Sequence, residues 1–190
     1  MTGTIDPAGA PAAGIGGLVD RFDDTVDSAF EHLRGRGPID ATAAVLSNLA
    51  DYGIVWSLIA AVKSRRRGPG RRRATRALSV AGVSSMTVNT AIKRVVARQR
   101  PAPAERGGPE GLRVRAPSSS SFPSGHTLAA FTTAMVLADT PAERTVYLSF
   151  ATAVAASRIY LRAHHASDVV GGAVIGTVLG VICRGVLRRR

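Results

Sequence analysis

Cysteine is almost missing from this chain. Cys183 stands alone, which excludes an internal disulfide and any metal site built from cysteines. Lysine is nearly as scarce: Lys63 and Lys93 are the only ones, so the net charge of +12 is carried almost wholly by arginine. Aromatic residues make up 5% of the chain, too few for the stacking platforms that hold single-stranded nucleic acid. The stretch Met1–Pro7 lacks the basic and apolar regions of a signal peptide. A membrane-bound form is therefore expected to enter the bilayer through its own spanning helices.

What is present is apolar sequence gathered into blocks. The mean hydropathy is +0.11 although 20% of the residues are charged. Most of the arginines fall in short clusters beside the apolar runs, the pattern of membrane topology rather than of a nucleic-acid-binding face. No nucleic-acid partner is expected. At 190 residues the length fits one domain.

Residues 1–17 are rich in Gly, Ala and Pro without periodicity and read as a disordered tail. The single helical domain is expected over 18–190. From Leu18 to Leu33, Val19, Phe22, Val26, Phe30 and Leu33 recur at three- and four-residue spacing, with Asp20, Asp23, Asp24, Asp27 and Glu31 mostly on the other faces. This predicts an amphipathic helix, on the bilayer surface or against the bundle. Its acidic face argues against docking on anionic lipid.

A span is predicted at 41–62, which has the roughly 20 residues needed to cross a bilayer, and further apolar spans at 77–92, 127–138, 145–159 and 169–187. Asp51 interrupts the first. Residues 63–76 hold eight positive charges around Gly68-Pro69-Gly70 and read as a cytoplasmic loop. In the last span Gly172, Gly176 and Gly180 recur every four residues, a packing ridge rather than a phosphate loop. The fold class is thus all-α: a transmembrane bundle of about five spans plus an N-terminal amphipathic helix. Counted from the basic loop, the turn at 139–144 and the basic C-terminus lie inside. Lys93–His126, Arg158–Asp168 and the N-terminal helix lie outside.

All candidate chemistry therefore falls at one end. His164 and Asp168 are four apart, which a helical turn would stack on one face. A carboxylate beside an imidazole fixes its tautomer and stabilises its cation. Lys93 and Arg100 are seven apart and would share a helix face. With Arg158 they make three permanent cations that would repel one another unless an anion sat between them, and phosphate suits arginine's paired donors. Pro123-Ser124-Gly125-His126 opens a helix, where Ser124 can cap, Gly125 admits close approach and free N–H groups bind anions.

Lys93-x6-Arg100-Pro101, then Pro123-Ser124-Gly125-His126, then Ser157-Arg158-x5-His164-x3-Asp168 resembles the three-part signature of the type 2 phosphatidic acid phosphatase superfamily. The ordered triple has no substitution at a defining position, and the likeness covers about residues 40–187. It implies a helical bundle that hydrolyses a phosphomonoester or diphosphate through a phosphohistidine, without metal or other cofactor. By position it implies His164 as nucleophile, Asp168 as its orienting carboxylate and His126 as general acid. Lys93, Arg100, Arg158, Ser124 and the Gly125 amide would hold the phosphoryl oxygens. His165 matches no defining position. The family's membrane members commonly have six spans, and the amphipathic helix is expected either to stand in for the first or to lie flat and shape a lipid entrance.

The substrate expected is a lipid phosphate, polyprenyl or glycerophospholipid, reached from the outer face of the cytoplasmic membrane. An arginine bias with abundant Ala and Gly resembles actinobacterial proteins, where prenyl carriers serve wall synthesis, and this favours a polyprenyl tail. Two other readings stay open: a haloperoxidase-like enzyme, whose family resembles the same signature with vanadate in place of phosphate, and a non-catalytic phospholipid-binding or transport protein. The sequence does not fix an oligomeric state.

Overall fold

The computed structural model describes residues 14–50, 53–65, 69–101 and 119–188. The regular elements among them are all α-helices: α1 (Ile15–Glu31), α2 (Gly37–Ala50), α3 (Ile54–Ser64), α4 (Pro69–Val95), α5 (Gly125–Leu137), α6 (Pro141–Tyr160) and α7 (Ala166–Arg188). The all-α expectation holds. Most of the expected tail lies outside the described residues, but α1 begins at Ile15 rather than Leu18. Asp51 and residues 102–118 also lie outside them. The basic loop is shorter than expected, because α4 already starts at Pro69, where proline's fixed φ suits a first helical turn.

α5 forms the centre, packed against α4, α6 and α7. It is apolar on all sides, as a helix surrounded by others must be, and Leu128, Ala130 and Ala134 are fully enclosed. α7 meets it along the glycine ridge. A Cβ at Gly176 would stand 2.5 Å from the Leu128 carbonyl oxygen, and one at Gly172 would stand 2.8 Å from that of Ser124. The two backbones touch because nothing stands between them. Trp56 of α3 is buried among Tyr147 and Phe150 of α6, its ring centroid 6.1 and 5.7 Å from theirs.

The opposite face of α7 exposes Val170, Val174, Val178, Ile182 and Val186, and α3 exposes Ile54, Leu58 and Val62. So broad an apolar belt is the surface of a protein that meets lipid. Among the described residues α7 alone is by itself long and apolar enough to cross a bilayer. α2 and α3 reach that length together, bent by 61° where one continuous span was expected, and α5 is apolar but 13 residues long. At about 1.5 Å per residue, α5 covers roughly 20 Å of a core about 30 Å thick.

Two ends of the bundle are distinct. At one, Lys63 Nζ donates to the Leu137 carbonyl (2.6 Å), Asp139 Oδ2 (2.9 Å) and Glu143 Oε2 (2.8 Å), so the end of α3 joins the turn before α6. At the other, α1 crosses the ends of α6 and α7. Asp23 reaches Ser167, Asp27 reaches Arg162, and Arg34 reaches the Tyr160 carbonyl. The acidic face of α1 thus docks on the bundle, while Ile15, Leu18 and Phe22 remain exposed.

Candidate active site

The site lies at the α1 end, where the start of α5, the turn between α6 and α7 and the segment after α4 converge. Lys93, Arg100, Gly125, His126, Arg158 and His164 all line one cavity of about 370 Å³. Among the described residues no carboxylate lines it, so three cations face a shared space and favour a multiply charged anion. The cavity continues between α4 and α5 past Asn89, Met86, Ser85 and Gly82 to Ala129, and towards Gly53 at the break between α2 and α3.

The cations converge by a route the spacing did not predict. Arg100 does not share a helix face with Lys93, because α4 ends at Val95. The chain then runs without helix to Pro101, and the residue before a proline is biased to extended backbone. Serines hold this segment: Ser121 N–H donates to the Arg98 carbonyl at 2.8 Å, and Arg98 N–H donates to Ser120 Oγ at 3.2 Å. Lys93 Nζ and Arg100 Nη2 both donate to the Ser120 carbonyl, at 2.7 and 3.4 Å. Arg158 is 1% exposed and donates from Nη1 to Ser47 Oγ on α2.

His164 and Asp168 are also arranged differently from the helical stack expected. α7 begins at Ala166, so His164 precedes the helix instead of riding on its face. Asp168 sits in the first turn and accepts the His165 backbone N–H at 2.9 Å, closing one half of a capping box. Its Oδ2 is 3.7 Å from His164 Nδ1, beyond hydrogen-bond range. Ser121 Oγ stands between them, donating to Asp168 Oδ2 at 2.5 Å and lying 3.5 Å from His164 Nδ1. On the other side of the ring Arg100 Nη1 meets Nε2 at 3.2 Å. A guanidinium can only donate, so Nε2 is the acceptor and the ring proton belongs on Nδ1. The lone pair therefore points toward Arg100, which lines the cationic cavity.

His164 is 3% exposed. Burial pushes its pKa down to about 4, with Arg100 and Arg158 adding to the effect and Asp168 opposing it. The ring is neutral at physiological pH, as a nucleophile requires. Burial likewise lowers the pKa of Arg100.

At the start of α5, Ser124 occupies the cap position but makes no side-chain cap. Its hydroxyl is fully buried and accepts from Thr127 Oγ1 at 3.0 Å. The capping expected of it is not made, and its side chain does not line the cavity. Its backbone N–H donates to the Asp168 carbonyl at 3.0 Å, which joins α5 to α7. The first N–H groups of a helix have no intrahelical acceptor, and Gly125 presents them on the cavity wall. His126 lines the same wall.

Four residues escaped sequence reasoning. Ser121 was visible only as part of a serine run. Asn89, one turn before Lys93, lines the cavity against Gly125. Arg98 donates from Nη1 to Asp168 Oδ1 at 2.7 Å and from Nη2 to Asp23 Oδ2 at 2.6 Å. Burial works against its charge, but Asp23 and Asp168 outweigh it and hold its pKa above the ordinary value. Asp23 gave no local signal beyond its place on an acidic face.

Comparison with known proteins defines the class: the protein is an enzyme, a lipid phosphatase. The chain belongs to the PAP2 superfamily, whose pattern matches residues 74–190. It is 31% identical over 140 residues to the decaprenylphosphoryl-5-phosphoribose phosphatase of Mycolicibacterium smegmatis, covering 74% of each chain. To the enzyme of the same name from Mycobacterium tuberculosis it is 34% identical over 143 residues, covering 75% of this chain and 77% of the relative. Two solved structures share the fold at 23% identity. The transmembrane PAP2-type phosphatidylglycerolphosphate phosphatase of Bacillus subtilis superposes with a TM-score of 0.70 over 90% of this chain and 87% of its own. LpxE of Aquifex aeolicus does so with 0.66 over 84% and 92%.

Proposed function

We propose that this protein hydrolyses the terminal phosphate of a polyprenyl-linked phosphosugar through a covalent phosphohistidine, without a metal ion. The observation that carries the reading is the cavity itself: His164 shares its lining with Lys93, Arg100 and Arg158, and His164 Nε2 meets Arg100 Nη1 at 3.2 Å. In the first step Nε2 attacks phosphorus and the bond to the leaving oxygen breaks. His126 gives that oxygen its proton. In the second step water attacks the phosphorus, its proton passes to His126, and the P–N bond breaks to release phosphate and neutral His164. The three cations and the Gly125 N–H stabilise the charge spread over the equatorial oxygens. Asp168 supports the charged imidazole that forms.

The polyprenyl-phosphoribose substrate rests on the mycobacterial relatives, whose names specify it. It also agrees with a cavity that leads from the cations into a slot lined by Gly82, Ser85 and Ala129. A role in cell-wall biosynthesis follows from such a substrate. We place the protein in the cytoplasmic membrane with five crossings: the α2–α3 pair, α4, α5, α6 and α7. The site faces outward by the positive-inside rule, and α1 lies flat at that surface with Ile15, Leu18 and Phe22 toward lipid.

The test is phosphate release by detergent-purified protein with EDTA present, wild type against His164→Ala. The panel holds a polyprenyl-phosphoribose phosphate, a polyprenyl diphosphate, phosphatidate, phosphatidylglycerol phosphate and a soluble phosphomonoester. Preferred release from the first, resistant to EDTA and absent in the mutant, is expected. A different best substrate would overturn the substrate, and equal rates in the two proteins would overturn the catalytic assignment.

A further inference from the structure

α1 carries one buried carboxylate on the acidic face that docks on the bundle. Asp23 is 6% exposed, while its neighbour Asp24 is exposed. Removing a carboxylate from water is costly unless its oxygens are filled, and those of Asp23 are. Oδ1 accepts the Ser167 backbone N–H at 2.7 Å. Oδ2 accepts Ser167 Oγ at 2.7 Å and Arg98 Nη2 at 2.6 Å. Arg98 spends its other nitrogen on Ser167 Oγ at 2.6 Å and Asp168 Oδ1 at 2.7 Å. One guanidinium thus lies between two buried carboxylates, one on α1 and one beside His164. It fixes Oδ1 of Asp168, while Ser121 and the His165 N–H fix Oδ2.

A second observation places α1 over the same turn. Arg162, two residues before His164, has φ +50°, a left-handed conformation that costs a non-glycine residue about 1–2 kcal/mol. Its guanidinium is held by Asp27 at 2.9 Å and Glu31 at 3.0 Å, both from α1. Arg34, just past α1, donates to the Tyr160 and Ile159 carbonyls at 2.9 and 3.2 Å. From Ile159 to Ser167, the segment that carries His164 is tied at two points to α1 and at a third to Arg34 just past it.

We propose that α1 is a positioning element of the catalytic pair, and that Asp23 is the residue through which it acts, setting the Asp168 carboxylate by way of Arg98. This rests on the phosphohistidine reading, since it gives Asp168 the task of orienting and charging His164. Asp23 does not line the cationic cavity, so it acts through Arg98 and not on the phosphate. Its loss leaves Arg98 free to swing with Asp168, and an orientation error of about 1 Å near the chemistry costs on the order of 100-fold in rate.

The test compares Asp23→Asn with Asp20→Asn, which makes the same charge change at an exposed position on the same helix. Asp23→Asn is expected to lower kcat at least tenfold with KM within about twofold, and Asp20→Asn to resemble wild type. In an Asp168→Asn background, Asp23→Asn should cost nothing further, because residues acting as one unit are not additive. A full additional loss there would overturn the coupling, as would an unimpaired Asp23→Asn. Nitrogen-15 spectra of labelled histidine supply a readout independent of any substrate. Asp23→Asn should move the His164 ring signals and Asp20→Asn should not. Unmoved signals in folded Asp23→Asn protein would refute the inference even were no substrate turned over. Wild-type protein that releases no phosphate while the His164 signals move would instead count against the functional reading alone.

Discussion

Gly176→Ala is a small perturbation with a calculable consequence. The new Cβ would stand 2.5 Å from the Leu128 carbonyl oxygen and 3.1 Å from its carbon. Carbon and oxygen rest at about 3.3 Å or more, so α5 and α7 must separate by roughly 0.8 Å. The obstacle is backbone, which cannot swing aside as a side chain could. Overpacking of this kind costs about 1–3 kcal/mol, or roughly 2–10 °C in a chain of this size. The separation also strains the bond from Ser124 N–H to the Asp168 carbonyl, 3.0 Å long, which ties the start of α5 to the proposed catalytic pair. Activity should therefore fall further than stability implies, by up to about 100-fold in kcat. Thermal unfolding in detergent and phosphate release together read both effects. Gly185→Ala is the control: nothing lies within 4 Å of a Cβ there, and a helix gains up to about 1 kcal/mol from the change. Wild-type melting and turnover in Gly176→Ala, or equal damage in Gly185→Ala, would refute the close-packing argument.

Other consequences concern the site. With the His164 pKa lowered to about 4, kcat/KM should hold on the acid side until near pH 4 and fall below it, as the attacking lone pair takes a proton. The alkaline limb should follow loss of the general acid's proton, and His126→Ala should remove it. The same lowered pKa is a stability statement: unfolded chain binds a proton near 6.5 that the folded ring refuses. Stability should thus be full above about pH 6.5 and decline toward pH 4 by up to about 3 kcal/mol. Melting of His164→Gln should show a shallower decline over that window. Arg100→Lys keeps the charge but loses the paired donors to Ala163 and His164. It is expected to lower kcat/KM at least tenfold, measured on the best lipid substrate. Ser121→Ala leaves Asp168 without its Oδ2 hydroxyl donor and should reduce kcat more than it raises KM.

Much of this architecture was legible because it is written locally. The glycine ridge at 172, 176 and 180 repeats with the helix, and it packs as the repeat implies. Counting helices puts the clusters at 93–100, 123–126 and 158–168 at one end, and residues from each line one cavity. What could not be read depends on contacts between distant segments. Helical spacing put Lys93 and Arg100 on one face, yet α4 stops at Val95 and the backbone bonds of the next segment go to Ser120 and Ser121. His164 and Asp168 sit at a helix start, where i and i+4 do not stack. Ser124 looked like a cap by type, but Thr127 claims its hydroxyl. Asp23 was counted with the other acids of an amphipathic helix, since only Arg98 and Ser167, far off in sequence, make it a buried residue. The bend between α2 and α3 escaped the hydropathy pattern because both halves are apolar; Gly53, at φ +66°, permits it.

The most direct test of the account is to trap the covalent intermediate. Wild-type protein mixed briefly with a phosphorus-32-labelled polyprenyl-phosphoribose phosphate and quenched in alkali should carry label that survives base and is lost in mild acid, as a phosphoramidate does. Peptide mapping should place it on His164, and His164→Ala should carry none while Asp168→Asn carries less. Phosphate released at full rate without trapped label, or label on any residue other than His164, would contradict the central claim.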